Sequence, residues 1–358
     1  MADFSRSDYL PGVNPLNLSH RALRPSALVN LILTGLRQRW QGQNNWGVRT
    51  EQITRNSIWI LVENRLSLAD LPRMLRDSTF RASLLPYFSN PEVRDFFDFF
   101  DDLSPQMRNS WISPAINKVS GFLADPIVRR VIAQPETTIP FRRIMDTPGT
   151  LALLNFAKAE LQTETSQLLA SVAFPAIVDA IFSRVEIPQN QRRPCVLMID
   201  EAQLYPNELE VLLSECGKFG ISVISANQHY GQMSAKIRSS ILANCTNLCI
   251  FRINSDDANI LVSTIAPGKE KFIKPKLLNL PPRHFCFCNR ESGKLEFVEA
   301  PFVKDFPAIA DNRFIKENIT MGILLPVREI ARANRNNRTR TDTEPRVQLQ
   351  YREGQDGW

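Results

Sequence analysis

The 358-residue chain has only three histidines, His20, His229 and His284, far apart in sequence. Scattered in this way they supply no His-rich metal centre. The six cysteines are Cys195, Cys216, Cys245, Cys249, Cys286 and Cys288, and no CxxC pair occurs among them. Zinc-site spacing is therefore missing. Most of them sit in apolar runs, where a free Cys behaves as a small core residue, and the set fits a reducing compartment. No Gly-x-Ser-x-Gly elbow is present, so that route to a serine nucleophile is excluded. No apolar run approaches the roughly 18 residues that span a bilayer. The N-terminal MADFSRSDYLPG lacks an apolar signal core. The expectation is a cytoplasmic chain without a transmembrane segment, able at most to dock on a membrane complex. A phosphate-binding loop needs Gly, four residues, Gly-Lys, then Ser or Thr. The Gly-Lys pairs here are followed by Phe219, Glu270 and Leu295, and none has the upstream Gly.

What is present is ordinary in bulk. Hydrophobic residues make up 43% and charged residues 22%, with a net charge of +6. That balance is typical of a globular protein, and its mild basicity is compatible with a polyanionic partner. The length suits two domains plus a tail.

The periodicity divides the chain. Residues 1–22 are irregular. Residues 23–135 read as helix almost throughout, with apolar spacing over Ala27 to Leu36 and a helix over Thr50 to Val62 capped at Thr50-Glu51. Asn90-Pro91, Ser104-Pro105 and Asp125-Pro126 each place a capping side chain before a proline at the first helical position. The aromatic cluster Phe96, Phe97, Phe99 and Phe100 reads as helix packing rather than base stacking.

From about Thr138 the grammar changes. Thr150 to Phe156 reads as a buried strand and Glu164 to Ser183 as a long helix. Cys195 to Ile199 is a strand, Asn207 to Lys218 a helix closed by Gly217 and Gly220, and Ser222 to Ala226 a strand. Ser234 to Ala243 is a helix and Leu248 to Ile253 a strand. Alternating strands and helices imply an α/β, mostly parallel sheet. Residues 283–299 suit an antiparallel edge hairpin turning near Ser292-Gly293. Residues 304–358 form a basic tail, rich in Arg, Asn and Thr, with the composition of disorder.

Two apolar runs stop at polar pairs. PCVLMIDEAQ ends at Asp200 and Glu201, and ISVISANQ ends at Asn227 and Gln228. Apolar residues on both faces predict a buried first strand, whose C-terminal end opens where α/β sheets bind ligands. An Asp there can hold magnesium directly or through water, and a neighbouring Glu can polarise water. One helix later, a right-handed crossover brings the amides to the same side of the sheet. Arg252, at or near the end of LCIFRI, suits charge neutralisation for this or a neighbouring subunit; a surface ion pair with Asp256 or Asp257 is the competing reading.

In order along the chain, further strings join these: Asn14-Pro15-Leu16, NPEVRDFF, PAINKVSGFLADPIVRRVIAQP, GTLALLNFAKAELQTETSQLLAS, DEAQ, ECGKFGISVISANQHYGQM and ILANCTNLCIFRINSDDA. Together, over roughly residues 12 to 300, they resemble the C-terminal part of a TraG/TraD-type conjugative coupling protein, a type IV secretion DNA-transfer ATPase of the HerA/FtsK superfamily. The resemblance implies a RecA-like, P-loop NTPase-type sheet, here without its first strands, and an all-α insertion, the TraM-recognition domain. It divides the chain into a lead-in segment at 1–22, the insertion at 23–135, a motor core at 136–303 and the tail at 304–358. It implies ATP and Mg as cofactors if another segment completes the site, and a hexameric ring around DNA. Type IV secretion components or a relaxase are implied partners, with the chain peripheral at a membrane secretion complex. Asp200 and Glu201 match the family's Walker B magnesium and water-activating pair, Gln228 its sensor, and Arg252 an inter-subunit arginine finger. The family's phosphate loop lies upstream of the Asn-Pro-Leu string. The alternative is a non-catalytic subunit or scaffold of a ring ATPase that completes a partner's nucleotide site. An unrelated α/β enzyme using the carboxylates for metal chemistry ranks below both.

Overall fold

The computed structural model describes all residues except 1, 5–8, 21, 40–46, 86–89, 157, 304–323 and 327–358. The chain forms two compact units, one of Met1–Ser183 with Asn312–Trp358 and one of Arg184–Asp311.

The first unit is chiefly helical. Its helices are α1 (Pro25–Arg39), α2 (Val48–Glu63), α3 (Leu71–Arg76), α4 (Ser78–Leu84), α5 (Pro91–Asp102), α6 (Pro105–Ala124), α7 (Pro126–Ile132), α8 (Phe141–Asp146) and α9 (Lys158–Phe182). The three proline-flanked starts hold as read from sequence. Asn90 Oδ1 accepts from the Glu92 N–H at 3.0 Å, Ser104 Oγ from Met107 at 3.4 Å, and Asp125 Oδ1 from Ile127 and Val128 at 2.8 and 3.2 Å. Each side chain satisfies a donor that the first helical turn leaves unpaired. Thr50 is different from its expectation. α2 begins before it, with Gly47 at the cap, and Thr50 is buried with Oγ1 donating to the Trp111 carbonyl at 3.4 Å.

The aromatic cluster packs. Phe97 and Phe100 are buried, and Phe96 meets Phe97 edge-on at 5.2 Å. Phe100 lies 6.0 Å from Trp111; only Phe99 faces solvent. Arg81, also buried, runs beside these rings, pairs with Asp101 and donates to the Met74 and Leu75 carbonyls. Asn14 of the Asn-Pro-Leu string is fully buried. Its Nδ2 donates to the Leu66 and Pro135 carbonyls at 3.3 and 3.0 Å and its Oδ1 accepts from the Leu16 N–H, so it ties three segments together.

α9 starts earlier than the sequence suggests. The stretch Thr163–Glu186 is long and apolar enough to cross a membrane by length and composition, where no such run is evident in the sequence; 83% of its apolar window is buried within the protein. Polar residues interrupt the apolar run, and several are bonded within the fold: Ser171 Oγ donates to the Gln167 carbonyl at 3.0 Å. Asp179, 1% exposed, accepts the N–H groups of His20, Ala22 and Leu23 just ahead of α1.

Two small ladders belong to this unit. β1 (Ala2–Asp3) pairs in parallel with β3 (Leu154–Asn155), and β2 (Tyr9–Pro11) pairs antiparallel with β9 (Leu324–Pro326). The buried strand expected over residues 150–156 is thus a two-residue strand, with Leu151 and Leu153 exposed. Among the described residues its partner offers two residues to pair, and beyond the ladder Phe156 stacks on Phe4 at 4.8 Å. Within the tail, residues 324–326 take part in a ladder; the reading of 304–323 and 327–358 as disordered lies outside the described residues.

The second unit contains β4 (Cys195–Ile199), α10 (Pro206–Glu215), β5 (Ile221–Ser225), α11 (Ala235–Asn244), β6 (Asn247–Ile250), α12 (Ser255–Ile265), α13 (Glu270–Leu278), β7 (His284–Asn289) and β8 (Lys294–Glu299). β4 and β5 form a parallel pair with Cys195 opposite Ile221 and Ile199 opposite Ser225. β6, β7 and β8 form an antiparallel sheet. The expected mostly parallel sheet therefore reduces, in this unit, to one parallel pair. The reason is connectivity: α12 and α13 follow β6 in tandem and β7 returns in the opposite sense. The hairpin turns at Gly293, whose φ of 66° suits glycine. Leu209, Ile237, Ile241, Leu261, Leu277, Cys286 and Cys288 form the buried centre.

One sequence expectation fails on β4. Its core-facing residues Leu197 and Ile199 are half-buried, but Val196 and Met198 are 61% and 67% exposed. Among the described residues nothing covers that face.

Candidate functional site

The site is built where β4 and β5 end. The ladder continues one step past each strand. Ala226 donates its N–H to the Ile199 carbonyl at 2.9 Å, and Ala202 donates to the Ala226 carbonyl at 2.8 Å. These bonds hold Asp200 and Glu201 in a tight turn opposite Ala226 and bring the two polar pairs to one edge. Gln228 Nε2 lies 3.4 Å from Glu201 Oε1, so the structure joins a carboxylate and an amide that are 27 positions apart in sequence. Asp200 is exposed, and its Oδ1 accepts the Glu201 N–H at 2.8 Å.

Glu201 has φ 49° and ψ 43°, the left-handed conformation. A non-glycine residue there costs about 1–2 kcal/mol. Such strain gathers at sites where geometry is imposed by neighbours. Here the Ala202–Ala226 bond and the short 3-10 turn Ala202–Leu204 fix the backbone on its C-terminal side.

The loop carrying Gln228 is clamped by a residue that the sequence reading assigned elsewhere. Asp257, 2% exposed, accepts from the Tyr230 N–H through Oδ2 at 3.1 Å and from the Gly231 N–H through Oδ1 at 2.7 Å. Its own N–H donates to Asn254 Oδ1, the cap of α12, at 2.8 Å. A Cβ on Gly231 would meet Asp257 Oδ1 at 3.2 Å, so glycine permits the close approach. Buried Tyr230 adds an anchor, donating through its hydroxyl to the Arg238 carbonyl at 3.0 Å. The Asn254-x-x-Asp257 capping spacing was the available sequence signal.

Arg252 follows β6 and is exposed. It pairs with neither Asp256 nor Asp257, and among the described residues it has no ion-pair partner. Its guanidinium is not brought to Glu201 or Gln228 by any hydrogen bond. Among the described residues no cluster of three or more His, Cys, Asp or Glu side chains is arranged to hold a metal. The donors at the turn are two carboxylates. That set suits magnesium, which takes one or two protein carboxylates with phosphates and waters completing its shell.

Two of the cysteines are held as thiols. Burial pushes the Cys216 thiol up to about 12, with the Glu215 charge adding to it, and Cys286 up to about 11, with Cys288 and Cys249 adding. Both are buried and stay protonated at neutral pH.

No protein-family profile matches the chain, and no curated protein matches it. Solved structures do. The plasmid coupling protein TrwB with the non-hydrolysable GTP analogue GDPNP is 13% identical, with 82% of this chain covering 72% of that one at a TM-score of 0.54. TrwB with ADP and Mg2+ is 14% identical, with 83% covering 72% at 0.54. The bacterial conjugative coupling protein TrwBdeltaN70 in its unbound monoclinic form is 13% identical, with the same coverage at 0.52. At this identity the likeness is one of fold: the chain, helical with small sheets, has the fold of the conjugative coupling protein TrwB.

Proposed function

We propose that this chain is the motor-domain part of a TraG/TraD-like ATPase for conjugative DNA transfer or DNA pumping, without its own Walker A loop. The observation that carries the proposal is the Glu201–Gln228 contact at the C-terminal edge of a parallel strand pair, in a chain with the TrwB fold. Residues 23–135 are the inserted all-α domain, 136–303 an incomplete RecA-like core, 304–358 a basic tail. The work of each residue follows from its place. Asp200, exposed at the turn, is the residue to hold magnesium, directly or through water. Bound with a nucleotide, that ion supplies charge neutralisation at the terminal phosphates. Glu201 holds and polarises the attacking water, and Gln228 fixes the orientation of the Glu201 carboxylate. TrwB has been seen with ADP and Mg2+, which supports the same ligands here.

Half of a nucleotide site is missing from the 358 residues, since no Gly-Lys pair completes a phosphate loop. The chain therefore requires that half from elsewhere. The protein works on the cytoplasmic face, peripheral to a membrane secretion complex, on DNA and within a ring. DNA-stimulated ATP hydrolysis tests this. The chain alone should give no robust turnover, and Glu201→Gln should change nothing; vigorous Glu201-dependent turnover by the chain alone overturns the incomplete-motor reading.

The second reading, a non-catalytic ring subunit that completes a partner's site, has one observation in its favour. Arg252 is exposed and, among the described residues, has no ion-pair partner, which suits a reach toward a neighbouring chain. Arg252→Ala would then abolish the partner's turnover while leaving assembly intact.

A further inference from the structure

We infer that this chain associates with a second copy of itself through α5 of one molecule and α13 of the other. The two helices lie antiparallel, with Phe99 against Phe272 and the carboxylates of α5 against the lysines of α13. The inference goes beyond the nucleotide-site reading and does not depend on it.

α5 carries the first face. Its inner side is buried through Val93, Phe97 and Phe100. Its outer side repeats at helical spacing as Glu92, Asp95, Phe99 and Asp102, with Asp98 alongside, and all of these are exposed. Half-buried Asp101 pairs with Arg81 and Arg108. Glu92, Asp95, Asp98 and Asp102 have no ion-pair partner among the described residues. Phe99 stands in their midst, 55% exposed.

α13 carries the second face. Ile273 and Leu277 are buried. Lys269 at the N-cap, Phe272, Lys276 and Asn279 just past the helix end form the outer stripe, with Lys271 beside Phe272, and all of these are exposed. Phe272 is 73% exposed. Lys269 and Lys271 have no ion-pair partner among the described residues. Lys276 lies over the Phe297 ring, 5.3 Å from its centroid. Glu270, the carboxylate of this helix, is turned back to accept the Gly268 N–H at 2.9 Å.

A single exposed aromatic ring is ordinary. What points to a second copy is that the two stripes match in sign and in spacing. On α5 a carboxylate stands four residues before Phe99 and another three after it; on α13 a lysine stands three residues before Phe272 and another four after it. With the helices antiparallel and the two rings opposed, the offsets coincide. Asp95 meets Lys276, Asp102 meets Lys269, and Glu92 meets Asn279. A parallel alignment misses at both charges by one residue, about 100° around a helix. The paired rings supply the affinity, and the ion pairs set the register. Single-stranded nucleic acid suits Lys269, Phe272 and Lys276 taken alone, but it leaves the matched stripe on α5 without a role. Each copy carries both faces, so copies can add head to tail.

The test is photocrosslinking of the purified full chain carrying p-benzoylphenylalanine in place of Phe272. Heavy-isotope-labelled and unlabelled protein are mixed equally and irradiated with and without a single-stranded oligonucleotide. The expected adduct joins position 272 to a peptide within Pro91–Asp102, with mixed isotopes that mark two molecules. Sedimentation of the unaltered chain in low salt should show species heavier than one chain at about 100 μM, which populates a contact with a micromolar Kd, and these should decline as salt rises. Asp95→Lys with Asp102→Lys should lower the association constant about tenfold or more, and so should Lys269→Asp with Lys276→Asp, because like charges then face each other. Mixing the two variants should restore association, since each reversed face meets its complement. The exposed positions leave the circular dichroism of each variant unchanged. No adduct between copies, an adduct within one molecule or to another part of the chain, an adduct formed with the oligonucleotide in preference, or no recovery on mixing overturns the inference.

Discussion

Replacing Glu201 by glycine and, separately, by alanine measures the strain stored at the turn. At φ 49° and ψ 43° any residue with a Cβ carries about 1–2 kcal/mol of steric cost. Both substitutions remove the same contact, the 3.4 Å approach of Gln228 Nε2 to the carboxylate. They differ in the backbone alone. Glycine removes the strain, while its greater freedom in the unfolded chain costs about 0.4–1 kcal/mol. Glu201→Gly should therefore be more stable than Glu201→Ala by about 0.5–1 kcal/mol. The control is Gln203, in the 3-10 turn Ala202–Leu204, where the φ is ordinary. There Gln203→Ala should be the more stable of the pair by about 0.5–1 kcal/mol. Urea denaturation, with matched slopes, reads both differences. The sign reversal between two positions two residues apart is the signature. A Glu201→Gly variant no more stable than Glu201→Ala would refute the claim that the turn is held under strain.

Four more outcomes are expected. Asp257→Asn should destabilise the chain by about 1–3 kcal/mol, since the amide keeps one acceptor oxygen and sets an NH2 donor against the other of the two buried backbone N–H groups; faster hydrogen exchange at Tyr230 and Gly231 than at Ile237 checks that the effect is local. Phe97→Ala should cost about 3–5 kcal/mol through an unfilled cavity among Phe96, Phe100 and Arg81, whereas Phe99→Ala should be near neutral in the same urea series. Cys216 has a folded pKa of about 12, above the ordinary 9.0, so its contribution is complete below about pH 9 and is lost as pH rises toward 12; Cys216→Ala should flatten the decline in urea midpoint between about pH 8 and about pH 10.5. DNA binding should weaken steeply with salt, with a smaller salt slope after deletion of 327–358, as read by fluorescence titration.

Much of this was legible in the chain because it depends on local chemistry. Capping side chains before proline marked three helix starts, and the Asp-Glu and Asn-Gln endings marked one edge of a ladder. The hairpin at 284–299 was legible from Gly293 and its flanking alternation. Other features depend on what lies across space. Whether β4 is covered on both faces is decided by neighbours, and hydrophobic residues alone do not report it; Val196 and Met198 look like core in sequence and are exposed. Asp257 read as half of an ion pair because charge is visible in sequence, whereas its backbone acceptor role depends on a loop 26 residues earlier. The run at 150–156 had strand composition but only a two-residue partner. The apolar stretch of α9 was obscured by polar residues such as Ser171 and Asp179, whose polarity is absorbed by bonds within the fold.

The central claim is that this chain holds the hydrolytic half of a nucleotide site and needs the phosphate-gripping half from outside its 358 residues. Titration of a fluorescent ATP analogue with magnesium into the purified chain addresses that claim most directly. The account predicts no saturable binding by the chain alone, and saturable binding, weakened by Asp200→Ala, once a loop-bearing partner is added. Tight magnesium-dependent binding by the chain alone, abolished by Asp200→Ala, would contradict it.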